Sequence, residues 1–145
     1  MTFCVPGVPR PQGSKTLMRG RLLDANAARL RPWREAVALV AAAAAACPAL
    51  LTGPVRVSLT FTLPRPASHP LRPRSEAVRE RVRLPIGRGT GDVDKLARAV
   101  LDSLTGTVYV DDAQVVDLWA CKVYGAPGVQ VTVERVPLPV AGVAA

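Results

Sequence analysis

The clearest hydrophobic pattern in the chain is a strict alternation of apolar and polar residues from Val55 to Leu63. Successive side chains of a strand point to opposite faces, so this segment is predicted to be a half-buried β-strand. Similar but less regular patterns predict further strands. The strand predicted near residue 109 is only a short one. These strands are expected at residues 2–8, 108–110, 114–124 and 129–136.

Apolar residues spaced three and four apart predict two helices. The first spans Ala28 to Cys47, where Trp33 and Val37 begin an apolar stripe and six consecutive alanines give high helix propensity. The second spans Asp92 to Leu104, with apolar side chains on one face and charged ones on the other. The order of elements is strand, helix, strand, helix and then two or three strands. It predicts an α+β fold, a small mixed β-sheet with two main helices packed against it.

Two segments lack this regularity. Residues 8–21 combine prolines and a glycine with basic side chains, and are predicted to form a basic arm or loop. Residues 64–90 contain seven arginines and five prolines. Such a segment cannot bury enough apolar area to offset its ordering entropy, so we expect a long mobile loop that contacts the substrate, with a short helical turn at residues 76–83. A single domain is expected over residues 1–137, followed by a small-residue tail over 138–145.

Composition narrows the class of partner. The formal net charge is +8, which favours a polyanionic partner, and nucleic acid is the first candidate. No apolar run reaches the roughly 18 residues that span a membrane, and charge arrives too early for a secretory signal. Three cysteines without a C-x-x-C spacing predict reduced thiols and a cytoplasmic protein, and a single histidine argues against a zinc site.

Four of the eleven acidic residues of this basic chain form two tight pairs, Asp92 with Asp94 and Asp111 with Asp112. Each aspartate has an ordinary structural explanation, as a helix cap, a first-turn residue or a turn before a strand. If the pairs meet in space, however, their charges repel each other, and bound Mg²⁺ or Mn²⁺ removes that conflict. Two such ions can activate a water and stabilise the leaving oxygen of a phosphodiester.

Several basic residues are candidates to support such chemistry. Lys95 and Arg98, on the same helix as the first pair, can stabilise the charge that develops on a phosphoryl group. Others are expected to contact the phosphate backbone, although an ordinary solvated loop explains residues 8–21 equally well. These DNA-binding candidates are Arg10, Lys15, Arg19, Arg21, Arg88 and Lys122.

Two motifs together resemble the RusA family of Holliday-junction resolvases, which is found in phages and prophages. They are D-x-D-K-L-x-R-x-x-x-D-x-L at residues 92–104 and D-D-A-Q-V-V-D at residues 111–117. The stretches VPGVPRPQGSK at residues 5–15 and PWREAV at residues 32–37 are also similar to family members.

The resemblance implies a homodimeric, Mg²⁺-dependent endonuclease that cuts four-way DNA junctions by paired nicks during DNA recombination and repair. Asp92, Asp94 and Asp112 match the family's essential carboxylates, and Asp111 is then a supporting residue. The family's helix lysine aligns with Arg98, and the basic residue that often precedes the first aspartate is replaced by Gly91.

Two alternatives remain open from the sequence. A nuclease of the same chemistry can act on other branched DNA, such as flaps or forks. A non-catalytic basic nucleic-acid-binding module, in which the aspartates are only caps and turn residues, is the second. In that module, Asp112→Asn would tighten DNA binding because it removes a negative charge.

Overall fold

The computed structural model describes residues 1–13, 15–18, 21–24, 27–45, 49–69 and 71–137. Within these ranges lie six strands and three α-helices, with short 3₁₀ turns at Arg88–Thr90 and Asp112–Gln114. The strands are β1 (Thr2–Pro6), β2 (Lys15–Met18), β3 (Arg21–Asp24), β4 (Val55–Leu63), β5 (Val115–Tyr124) and β6 (Gly128–Arg135). The helices are α1 (Ala27–Ala44), α2 (Glu76–Arg81) and α3 (Val93–Leu104).

The main sheet has the strand order β1-β6-β4-β5. Strands β4 and β5 are parallel, and the other neighbouring pairs are antiparallel. The predicted mixed sheet and α+β class are therefore confirmed. Strand β4 has the predicted bounds, and its alternating residues from Val55 to Leu63 are buried beneath the helices.

Helices α1 and α3 pack against each other and against the same face of the sheet. The predicted stripes supply the buried residues, with Trp33 and Val37 on α1 and Leu96 and Val100 on α3. Each buried aliphatic side chain of this kind contributes about 1.5–3 kcal/mol relative to leaving it in water. This packing fixes α3, and therefore the acidic residues at its start, relative to the sheet.

The prediction that residues 8–21 lack regular structure is wrong for their second half. Strands β2 and β3 pair as an antiparallel hairpin, with Lys15 opposite Asp24 and Met18 opposite Arg21. The helix- and strand-breaking residues Pro9, Pro11 and Gly13 all precede β2, so they do not interrupt this ladder.

The Arg/Pro-rich segment 64–90 contains more structure than a plain loop. Helix α2 occupies the position of the predicted helical turn, and its first turn is capped by the Ser75 hydroxyl, which accepts from Val78 N at 3.4 Å. Val82 is buried, and its carbonyl accepts a hydrogen bond from Arg65 Nη1 at 2.9 Å. Part of the segment therefore packs onto the domain, and its mobility stays a prediction.

The remaining predictions about the whole chain concern thiols, the tail and membranes. In the described part of the chain Cys4 and Cys121 are free thiols, whereas Cys47 and the tail 138–145 lie outside the described residues. None of the helices in those same ranges is long and apolar enough to cross a bilayer.

Candidate active site

The start of α3 lies at the carboxyl ends of the parallel strands β4 and β5. Lys122, near the end of β5, donates from Nζ to the carbonyl of Gly91 at 2.8 Å and to the hydroxyl of Thr90 at 3.2 Å. From the N-terminal arm, the amide of Gln12 donates to the carbonyl of Lys95 at 3.0 Å. The turn that carries the first acidic pair is therefore tied to both the sheet and the arm.

Asp92 occupies the N-cap position of α3, but its side chain makes no capping hydrogen bond. The carboxylate instead forms an ion pair with Lys95, Oδ2 to Nζ at 2.8 Å. This contact lowers the pKa of Asp92 below its usual value, with a smaller contribution from Lys122, and raises the pKa of Lys95. The ordinary explanation of Asp92 as a capping side chain is therefore wrong for this structure.

Asp94 lies in the first turn of α3 and is exposed. Among the described residues it forms no salt bridge, although it contributes to the raised pKa of Lys95 after the larger effect of Asp92. The Lys95 ammonium therefore lies within the field of both carboxylates. The helix N-terminus carries partial positive charge, so a carboxylate here is also stabilised by the helix dipole.

The second acidic pair begins the turn before β5. Asp111 accepts from Ala113 N through Oδ1 at 2.8 Å, while the amide of Asp111 donates to Gln114 Oε1 at 3.0 Å. This reciprocal capping box confirms the turn explanation for Asp111. Gln114 also donates to the carbonyls of Leu51 and Gly53, which anchors the turn to the segment just before β4.

Tyr109 shows where this second pair lies relative to α3. Its hydroxyl donates to the carbonyl of Leu101 at 3.0 Å. Burial raises the pKa of Tyr109, and the negative charges of Asp112, Asp102 and Asp111 raise it further. The turn that carries Asp112 also contacts α3, and the hydroxyl on which its charge acts is held at Leu101. Leu101 is seven residues beyond Asp94, a rise of about 10 Å along a helix.

The four aspartates do not converge as the sequence predicted. In the described ranges there is no group of three or more His, Cys, Asp or Glu side chains placed to hold a metal ion. The reason is the direction of the elements, because α3 begins beside the end of β5, whereas the turn that carries Asp112 follows the end of α3 and precedes β5. A three-carboxylate cage therefore does not fit this arrangement of the chain.

The first pair alone still fits a simpler ion site. Mg²⁺ retains several waters and is commonly held by one or two carboxylates together with substrate phosphates. Asp92 and Asp94, two residues apart at an exposed helix start, offer such a donor set. The Lys95 ammonium, which already neutralises Asp92, occupies the place that a cation would take.

The basic candidates have different environments. Arg98 is exposed one turn after Asp94 and makes no ion pair with the described residues, so its guanidinium can meet an anion. The Lys122 ammonium instead donates within the fold, and its role as a DNA contact stays a prediction. Arg10 is half-buried beside a cleft. Of the others, Lys15 lies on β2, Arg21 on β3 and Arg88 in a 3₁₀ turn, and Arg19 is outside the described residues.

One group near this site was missed by sequence reasoning. The guanidinium of Arg65 lies 4.4 Å from the centre of the Tyr124 ring, and His69 Nδ1 is 2.8 Å from the Tyr124 hydroxyl. Tyr124 ends β5, on the same side of the sheet as Lys122. The available signal was the position of a tyrosine at the strand end next to an arginine-rich segment.

Gly91 explains why a basic residue is absent just before Asp92. Its backbone has φ +74°, which L side chains rarely adopt, and a Cβ there would lie 3.2 Å from Pro11 Cγ. We therefore expect Gly91→Arg to lower the free energy of unfolding by at least about 1–2 kcal/mol, despite restoring the family's charge. Chemical denaturation measures this, with Gly89→Arg as the control because a Cβ at Gly89 meets nothing within 4 Å. Equal stability of both variants would contradict it.

Comparisons with known proteins agree with this arrangement of motifs. The chain matches the family model described as "Endodeoxyribonuclease RusA" over residues 6–134, a range that includes both acidic pairs. A protein of Bacillus subtilis (strain 168) described as "Uncharacterized protein YqaN" is 33% identical over 141 residues, which cover 92% of this chain and 95% of that protein. The chain therefore belongs to the RusA endodeoxyribonuclease family.

Proposed function

We propose that this protein is a Mg²⁺-dependent endonuclease that resolves four-way DNA junctions by paired nicks. The observation that carries the proposal is the exposed Asp92/Asp94 pair at the start of α3, inside a chain whose family is that of an endodeoxyribonuclease. The net charge of +8 suits a DNA substrate, and its binding should weaken steeply with salt. The expected site of action is the cytoplasm.

Asp92 and Asp94 are the residues that would hold the ion, and Mn²⁺ is expected to substitute for Mg²⁺. When bound, the ion supplies Lewis-acid stabilisation of the phosphoryl group and a water of lowered pKa. To hold an ion, Asp92 would have to give up its contact with Lys95. The Lys95 ammonium would then be free to pair with a phosphate of the DNA.

The other residues act on the substrate or on the position of the site. Arg98 is exposed one turn further along α3, and its guanidinium would hold a non-bridging oxygen of the scissile phosphate. Lys122 keeps the turn before Asp92 in place through two hydrogen bonds. The resemblance also implies a role for Asp112, which follows the Asp111 cap in the turn before β5.

Cleavage of a synthetic four-way junction tests the proposal directly. The junction, a flap, a fork and linear duplex are each incubated with the protein in Mg²⁺ and in EDTA. We expect symmetric nicks in the junction with Mg²⁺ and intact DNA with EDTA. Preferred cutting of flaps or forks would replace junction resolution with another branched substrate, and no cutting of any substrate would reject the nuclease.

Calorimetric titration with Mn²⁺ separates the enzyme from a non-catalytic binding module without relying on activity. The wild type should bind Mn²⁺ saturably, and Asp94→Asn should lose this binding. Asp102→Asn is a matched control because Asp102 is on the same helix but pairs with Arg34 at 3.5 Å. Tighter DNA binding by Asp112→Asn, with no metal effect in any variant, would instead support the module.

Paired nicks require two sites, which a homodimer provides through two-fold symmetry. Strand β5 supports this proposal, since it forms one edge of the main sheet among the described strands. Val116, Leu118 and Trp119 on that edge are 62%, 46% and 56% exposed. Exposed apolar edges readily pair with another chain. Sedimentation velocity should show a dimer for the wild type and a monomer for Trp119→Lys, and a monomeric wild type would contradict it.

A further inference from the structure

A cleft of about 430 Å³ opens at the carboxyl ends of β4 and β5. Its walls are formed by residues 8–11, residues 63–66, Gly87, Gly89 and Thr90, together with His69 and with Tyr124 at the end of β5. Its volume lies in the range of roughly 300–1,000 Å³ that is typical of small-ligand sites.

The cleft adjoins the carboxylate pair. Thr90 lines the cleft and accepts a hydrogen bond from Lys122. It is two residues before Asp92, so the Cα atoms of Thr90 and Asp92 are at most about 7 Å apart. Pro11 also lines the cleft and lies beside Gly91, where an added Cβ would be 3.2 Å from Pro11 Cγ. A group bound in the cleft would therefore lie next to a phosphate held by the start of α3.

The chemistry of the lining suits a nucleotide. Tyr124 contributes an aromatic ring, with the Arg65 guanidinium 4.4 Å from its centre and the His69 ring edge-on to it. One Nη1 hydrogen of Arg65 is used by the Val82 carbonyl, and a guanidinium has five N–H donors in all. Aromatic and guanidinium planes stack on unpaired bases, while cations bind the adjoining phosphates.

Charge also favours an anionic occupant. Arg10 and Arg65 are the cations of the cleft, and none of the lining residues in the described part of the chain is acidic. Prolines on both walls give rigid apolar surfaces, which lose little entropy when a flat base packs against them. A paired base cannot present its face to such a cleft, because its neighbours in the stack cover that face.

We propose that this cleft binds one unpaired nucleotide of branched DNA, next to the phosphate that is cut, and that its fit sets the preferred cutting sequence. The proposal rests on the proposed function for its DNA substrate. It goes beyond that function by assigning a base-reading role to Tyr124, Arg65 and Arg10.

Binding of a labelled single-stranded tetranucleotide in EDTA, followed by fluorescence anisotropy, tests the site without cleavage. Tyr124→Leu should weaken binding at least ~10-fold, as expected for the loss of one stacked base. Tyr124→Phe retains the ring and should bind as the wild type does, which separates stacking from a general defect. Arg65→Met should also weaken binding, and its matched control is Arg56→Met, because Arg56 pairs with Asp117 on the other face of the sheet.

Competition and cutting patterns decide the nature of the site. If inorganic phosphate displaces the tetranucleotide as effectively as an unlabelled copy does, the cleft is a plain anion site and the proposal is overturned. On junctions with varied sequences at the crossover, Tyr124→Leu should cut with a flatter sequence preference than the wild type. Thermal unfolding checks that the variants are folded. If Tyr124→Leu does not fold, Arg10→Met provides a second variant of the cleft.

The two proposals fail in different ways. Loss of tetranucleotide binding in Tyr124→Leu, combined with no cutting of branched DNA by the wild type, would retain the cleft and reject the nuclease. Junction cutting by the wild type, with unchanged oligonucleotide binding and unchanged sequence preference in the Tyr124 and Arg65 variants, would retain the nuclease and reject the cleft.

Discussion

Asp94→Asn is expected to cut junction DNA at least ~100-fold more slowly than the wild type while folding normally. Residues that only support a metal ligand already cost 10–100-fold when they are replaced, so a direct ligand should cost at least as much. Asparagine keeps the size of the side chain but removes the charge that attracts the ion. Since Asp94 is exposed and forms no salt bridge with the described residues, the fold loses little.

The measurement compares single-turnover cleavage with DNA binding in Ca²⁺ and with thermal unfolding. DNA binding should be retained or slightly tightened, because one negative charge is removed from a surface that meets phosphates. Asp102→Asn, which breaks only a partly exposed pair with Arg34, should cut at the wild-type rate. A normal cutting rate in Asp94→Asn would show that the start of α3 is not the reactive centre.

The fold followed from local patterns to a large extent. The alternation from Val55 to Leu63 predicted β4 with its observed bounds, and the stripe on α3 predicted a helix one residue longer than the helix observed. These segments are amphipathic, so their burial is encoded residue by residue. The hairpin of β2 and β3 was not predicted, because its ladder depends on pairing between the two short strands rather than on a long periodic pattern.

The site was predicted less completely, since it depends on the direction in which elements pack. The sequence correctly identified Asp92 and Asp94 as a pair at the start of a helix. It did not show that β5 runs alongside α3 with its end at Gly91, and among the described residues no three acidic side chains form a metal-binding group. The grouping of Arg65, His69 and Tyr124 joins residues up to 59 positions apart and left no local pattern.

Lys122 gives the sharpest contrast between the sequence-based prediction and the structure. Its ammonium donates to Gly91 O and Thr90 Oγ1, so Lys122→Met leaves both acceptors without their charged partner. Hydrogen bonds to a charged group contribute about 1.5–3 kcal/mol, so the unfolding temperature should fall by roughly 5–10 °C. Cleavage should fall about 10-fold, as for other residues that position a ligand, because the turn before Asp92 is no longer held.

Replacing Lys122 would have different effects if its ammonium contacted DNA, so measurements on Lys122→Met distinguish the two roles. If Lys122 positions the turn, Lys122→Met should lower kcat and stability while the affinity for junction DNA in Ca²⁺ stays close to the wild type. Arg98→Met is the matched control, because it removes another cation, one that is exposed on α3. It should reduce cleavage without changing the unfolding temperature. An unchanged unfolding temperature in Lys122→Met, together with weaker DNA binding and a smaller salt dependence, would restore Lys122 as a phosphate contact. The two lysine roles differ because an ammonium already bonded to backbone oxygen must break those bonds before it can reach a phosphate.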